Sequence, residues 1–198
     1  MGEGTGGHVP AFDEWVLPRL DRLSPGRRAH SERVATLAEE LARRHGLDPV
    51  HAYRAGLAHD LARELSDTRF LAEAVRLRLD VGLEERTWPL LLHGPVAAAW
   101  LKEARMGTPA ICQAVHYHTT GAPGLGPLAM VVYVADGTEP GRRYPEAAAI
   151  RDMARRDLVA GYRASLVSAA NYLTGRGLRL HPLMRQALAE DGRGRTES

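Results

Sequence analysis

The chain has one cysteine, Cys112, in 198 residues. That excludes an internal disulfide and any thiolate metal cluster, and a lone thiol is compatible with a reducing cytoplasm. Lysine is almost missing too: Lys102 is the only one, so arginine carries nearly all of the positive charge. A single arginine is therefore weak evidence for a phosphate site. Aromatic residues make up only 6% of the chain, leaving alanine, leucine and valine to fill the interior, which favours closely packed helices. The longest apolar run, Leu128 to Ala135, falls far short of the ~20 residues that span a bilayer. The first residues, Met1 to His8, show no charged-then-apolar signal pattern. The expectation is a soluble, cytoplasmic protein with no membrane partner. A net charge of +2 gives no case for a nucleic-acid partner.

Helical punctuation is plentiful. Ser24-Pro25, Asp48-Pro49 and Thr108-Pro109 each pair an N-cap residue with a proline suited to the first helical position. Val34, Leu37, Ala38 and Leu41 form one apolar stripe, and Gly46 closes that helix. Helices are expected over about 11–23, 25–45, 49–63, 67–79, 95–105, 109–118, 128–136, 145–155, 158–174 and 182–189, with 82–89 as a connection. Only Val131 to Val134 is ambiguous between helix and strand. The fold class expected is all-α, a helical bundle, in one domain over residues 10–190. Residues 1–9 read as a Gly-rich flexible arm and 191–198 as a polar tail.

Chemistry concentrates in histidine and aspartate. Of nine histidines, His8, His45, His51 and His181 sit where an arm, a helix end, a first turn or a following proline accounts for them. His30, His59, His93 and His118 instead stand beside small or apolar residues. His59 and Asp60 are adjacent within Ala55 to Arg63, which reads as a helix; neighbouring helical side chains diverge by roughly 100°, and a metal ion is one thing both can lean toward. Asp136 ends an eight-residue apolar run, an expensive place for an unpaired carboxylate. Histidine and carboxylate without cysteine suit iron, manganese, zinc or magnesium. Six such groups exceed one tetrahedral site and would fit two ions sharing a bridging carboxylate, a usual device for in-line phosphoryl displacement.

The order His30, His59-Asp60, His93, His118, Asp136 resembles the HD-domain metal-dependent phosphohydrolases. Leu91 to Val96, Tyr117-His118-Thr119-Thr120-Gly121, and Val132 to Asp136 followed by Glu139-Pro140-Gly141-Arg142 are similar to the bacterial YqeK-type symmetrical bis(5′-nucleosyl)-tetraphosphatases. The resemblance spans roughly residues 25 to 175. It implies an HD-type helical bundle that cleaves diadenosine tetraphosphate (and related dinucleoside polyphosphates) symmetrically to two ADP. Two divalent ions, iron first among them, would be the cofactors, and a metal-bound hydroxide the nucleophile. His30, His59, Asp60 and Asp136 would hold one ion; His93 and His118, with Asp60 bridging, would hold the second. Arg63 and Arg142 would clamp phosphate oxygens, a task that suits a planar guanidinium. Thr119, Thr120 and Gly121 would offer hydroxyls and backbone donors to the substrate.

Two departures from the family pattern bear on substrate rather than metal. His116 stands where the family has arginine, and Gly137-Thr138 replaces a bulkier pair. The small-molecule partner is a dinucleotide, with a homodimer also considered. Two alternatives compete: an HD phosphohydrolase for another nucleotide, and a helical interaction protein keeping a metal or nucleotide as a structural ligand.

Overall fold

The computed structural model describes residues 11–193. The expected arm, residues 1–9, lies outside them, as do residues 194–198 of the expected tail. Eleven α-helices and one 3-10 turn make up the described residues, with no strand among them. The helices are α1 (Phe12–Leu20), α2 (Pro25–Arg44), α3 (Pro49–Ala58), α4 (Asp67–Arg76), α5 (Leu83–Thr87), α6 (His93–Glu103), α7 (Pro109–Tyr117), α8 (Pro127–Thr138), α9 (Ala147–Arg156), α10 (Leu158–Gly175) and α11 (Pro182–Arg193). The 3-10 turn Pro89–Leu92 runs straight into α6. The ambiguous Val131 to Val134 segment is helical.

Caps set several of the boundaries. Asp48 accepts the amides of Val50 and His51 at 2.8 and 3.1 Å, and Ser66, Thr108 and Asp157 cap α4, α7 and α10 in the same way. Proline at the first position begins α2, α3, α7 and α8. Five expected boundaries shift by three residues or more, α4 among them, which ends at Arg76 rather than Leu79. The first helix stops at Leu20, with Asp21 as its cap, three residues short of Leu23. The supposed connection over 82–89 contains α5, begun where the Glu85 carboxylate accepts the amide of Gly82 at 2.9 Å. The expected tail is helical through Arg193. The fifth shift, at Ala58, concerns the site.

Helix α8 is the axis of the bundle. Seven of its residues, Leu128 to Ala135 without Met130, are buried on all sides, as expected for a helix apolar around its whole circumference. It packs against α2, α3, α7, α9 and α10. Helices α2 and α3 make the tightest pair, and Gly56 is the reason. A Cβ at that position would stand 2.7 Å from the Cα of Ala35, so no larger residue fits where α3 crosses α2. Gly161 plays the same part where α10 meets Ala154 of α9. Among the described residues no helix is long and apolar enough to cross a membrane.

Candidate metal centre

Five segments converge on one cluster: α2 brings His30, the turn after α3 brings His59 and Asp60, α6 begins with His93, the end of α7 brings His118, and α8 brings Asp136. Helix α3 does not run through the His-Asp pair as the sequence suggested. It ends at Ala58, and residues 59–64 form turns closed by bonds such as Arg63 N–H to the Asp60 carbonyl at 2.9 Å. The cause is local. The carbonyl of Gly56, which would accept the next helical rung, is engaged by Nδ1 of His59 at 2.6 Å. Leaving the helix lets both members of the pair face the same side.

The same arrangement occurs twice more. Nδ1 of His93 donates to the carbonyl of Leu90 at 2.6 Å, and Nδ1 of His118 to that of Val115 at 2.7 Å. Each imidazole thus spends its Nδ1 proton on the carbonyl three residues back, which fixes the tautomer and leaves Nε2 as a lone pair. All three Nε2 atoms point into the cluster. Nε2 of His93 and Nε2 of His118 lie 2.9 Å apart, and Nε2 of His59 is buried without a hydrogen-bond partner. His30 follows the same logic: its Nδ1 is 3.1 Å from Glu139 Oε1, and its Nε2 faces Asp136 Oδ1 at 3.0 Å. Lone pairs that face each other or a carboxylate repel, and a cation among them turns the repulsion into coordination.

Asp60 divides the cluster. Its Oδ2 lies 3.5 Å from Nε2 of His59 and 4.0 Å from that of His30; its Oδ1 lies 3.3 Å from Nε2 of His93 and 3.7 Å from that of His118. Asp136 Oδ1 closes the first side at 3.8 Å from His59. These groups form three overlapping sets capable of holding a metal ion: His30, His59 and Asp60; His59, His118 and Asp136; Asp60, His93 and His118.

Electrostatics favour the ligand forms of His59, His93, Asp60 and Asp136. Burial pushes the His59 imidazolium down to about 4, so the ring is neutral near pH 7. Burial also lowers His93. Burial opposes charge on Asp60, yet His59, His118 and His93 together outweigh it and hold the carboxyl well below its usual range. Asp136 is likewise lowered against its burial, through His30, His59, His118 and Arg142. Among the residues of the cluster only His118 is raised, because its contact with Asp60 overcomes burial.

The residues expected to meet substrate are distributed around this centre. Arg142 reaches Asp136 twice, from Nη2 to Oδ1 at 2.8 Å and from Nε to the backbone carbonyl at 2.9 Å. The Nε atom of Arg63 stands 3.9 Å from Asp60 Oδ1, a charge contact rather than a hydrogen bond. Thr119 Oγ1 lies 3.1 and 3.0 Å from Nε2 of His93 and His118. The expected backbone donor at Gly121 is taken, since its N–H donates to the Tyr117 carbonyl at 2.9 Å. Its φ of +60° and the Leu166 side chain, 2.8 Å from where a Cβ would be, explain the glycine as a buried turn. No hydrogen bond or ion pair links His116 or Thr120 to the cluster among the described residues; His116 lies against the Tyr117 ring.

Two partners escaped sequence reasoning. Arg27, in the first turns of α2, bonds Asp60 Oδ2 at 2.8 Å, but in so arginine-rich a chain nothing marks it out. Glu139 is buried, accepts from Nδ1 of His30 and is held by Arg33 at 2.6 and 3.0 Å. Its place in the Glu139-Pro140 motif was visible; its task of orienting His30 was not.

The profile of the HD domain family matches residues 27–141. The chain belongs to the HD-domain phosphohydrolase family. The protein named "Bis(5′-nucleosyl)-tetraphosphatase, symmetrical" of Bacillus subtilis (strain 168) is 35% identical over 69% of this chain and 74% of its own length. The protein of the same name from Halalkalibacterium halodurans is 30% identical over 81% of this chain and 86% of its own. In three dimensions the HD fold here superposes with a TM-score of 0.86 on a Clostridium acetobutylicum crystal structure described as a "predicted HD superfamily hydrolase involved in NAD metabolism". That match is 26% identical and covers 92% of this chain and 97% of the other. Divalent metal binding is general to HD domains, and the histidine–aspartate sets here are of the type that holds such ions.

Proposed function

We propose that this HD domain hydrolyses diadenosine tetraphosphate symmetrically, yielding two ADP, at a centre that holds two divalent ions. The observation that carries the two-ion reading is the division of Asp60: one oxygen is turned toward His30 and His59, the other toward His93 and His118. His30, His59, Asp60 and Asp136 would hold one ion, and His93, His118 and Asp60 the other. Ions bound there would supply Lewis-acid polarisation of phosphoryl oxygens and make water nucleophilic near neutral pH; iron, manganese, zinc and magnesium all suit the donor set.

The chain's own groups do the rest. His59, His93 and His118 are oriented because backbone carbonyls hold their Nδ1 protons, and burial keeps His59 and His93 neutral. Arg27, on Asp60, and Arg142, on Asp136, stand at the rim with side chains 31% and 40% exposed, open to a phosphate chain approaching the cluster. Arg142 bridges the Asp136 backbone and carboxylate, so a phosphate it gripped would be fixed relative to the centre. Arg63, half-buried beside Asp60, adds positive charge from the other side. The activity for which the relatives are named supports the dinucleotide as substrate, and the central phosphates are where symmetrical cleavage requires the cluster to act.

Product identification tests the reading. Purified enzyme loaded with a divalent metal should convert diadenosine tetraphosphate to ADP alone. AMP plus ATP, or no turnover with iron, manganese, zinc and magnesium each supplied, would overturn it.

A further inference from the structure

A cleft of about 620 Å³ lies apart from the histidine cluster, between α1, α4, α6 and the segment that follows Asp60. Its floor is apolar, formed by Leu23, Leu61 and Leu65, and two of the protein's three tryptophans, Trp15 and Trp100, stand in its wall. The volume is that of a small-molecule site.

The charges along the rim are of both signs, but they are not equally committed. Glu64 gives one oxygen to the Ser24 amide at 2.9 Å and the other to the Ser24 hydroxyl at 2.5 Å. Glu73 accepts from Arg76 and, at 2.8 Å, from Nε1 of Trp100. Glu103 accepts from Arg76 with both oxygens, at 2.9 and 3.1 Å. Each carboxylate is thus occupied, and Arg76 is balanced by two of them. Arg19 and Arg22 differ. Arg19 donates only to the Trp15 carbonyl at 2.7 Å and lies over the Trp15 ring, 4.2 Å from its centre. Arg22 is exposed, and among the described residues neither guanidinium has a carboxylate within ion-pair distance. Burial and the neighbouring Arg22 both lower the Arg19 pKa, the sign of a cation lacking its counter-charge.

Two adjacent unneutralised guanidiniums beside two indoles select an anion that carries a flat ring. We propose that this cleft binds a nucleoside 5′-phosphate, with its base against Trp100 and its phosphates on Arg19 and Arg22. Arginine pairs are the usual phosphate fork, and an indole face stacks on any base. Leu61, Glu64 and Leu65 lie one to five residues past Asp60, so the cleft and the catalytic cluster share one short stretch of backbone.

The site stands on its own geometry, and ADP is a convenient probe because the reaction proposed above releases it. Binding is measured by titration calorimetry in metal-free buffer, in an Asp60→Asn background that removes the bridging carboxylate from the cluster. The expectation is one ADP per chain, with affinity falling as salt is added. Arg22→Glu should weaken binding at least tenfold; Arg22 makes no contact that the fold needs, so the variant folds. Adenosine should bind at least tenfold more weakly than ADP. No heat with millimolar ADP, binding unchanged by Arg22→Glu, or equal binding of adenosine would overturn the proposal. Failure of the reaction itself, by contrast, appears only in the product assay and leaves this titration untouched.

Discussion

At the scale of single residues, the centre depends on how protons are assigned. A histidine whose Nδ1 proton is held by a backbone carbonyl cannot swap tautomers without losing a buried hydrogen bond, so its Nε2 is kept free to act as an acceptor. Asp60 is the residue whose loss touches both halves. Asp60→Ala should abolish activity and lower metal content at both positions, whereas His93→Ala should remove about one ion per chain and leave the fold intact. Metal analysis of the two purified proteins checks this; equal losses would count against a bridging Asp60. Glu139 acts one step further out. Glu139→Gln preserves shape but weakens the acceptor for His30 Nδ1 and the pair with Arg33, and orienting partners of this kind are typically worth ten- to a hundredfold in metal affinity. A competitive chelator titration should show a loss in that range, while circular dichroism remains that of the parent protein.

At the scale of elements, the site is a set of helix ends held at close quarters by glycine. Gly94 follows His93 directly, and a Cβ there would lie 2.7 Å from the His116 carbonyl, 2.9 Å from that of Val115 and 3.2 Å from Nδ1 of His118. Two of these atoms are backbone and cannot swing aside. Gly94→Ala should therefore push the start of α6 off the end of α7 and separate His93 from His118. The expected outcome is loss of the second ion and a destabilisation of about 1–3 kcal/mol, typical of overpacking. Urea unfolding and metal content read the two effects separately. Full metal content in the variant would mean that the two helix ends yield more readily than their contacts suggest. At this scale the sequence is informative where the chemistry is local: the Ser24-Pro25, Asp48-Pro49 and Thr108-Pro109 starts all lie where their caps and prolines place them. It is less informative where a side chain competes with the backbone for a hydrogen bond. The departure from helix at Ala58 depends on a histidine ring competing for a carbonyl, and residue patterning favoured continuation.

At the scale of the whole molecule, the six residues of the cluster come from segments that share only the interior around α8. Their types were legible, because histidine and aspartate among small apolar residues require explanation, and the motif resemblance supplied their grouping. Arg27 and Glu139 were not, since their roles exist only once α2 lies against the turn after α3 and the loop after α8. Metal bound at such a centre ties those segments together, so stability should depend on its concentration. At a hundred times the dissociation constant the ion adds about 2.7 kcal/mol, which for a chain of this size corresponds to a rise in melting temperature of roughly 5–11 °C. Differential scanning calorimetry before and after chelation measures it; an unchanged melting temperature would show that no ion links the helices.

The spread of the ligands along the chain, from His30 to Asp136, also sets an order of events during biosynthesis. A ribosome that has made α2 and the turn after α3 has produced His30, His59 and Asp60, but α8 is still to come. Until Asp136 emerges, the six-residue set is incomplete, however much of the chain has already been made. The centre can therefore close only once α8 takes its place in the bundle and brings Asp136 beside His59 and His118.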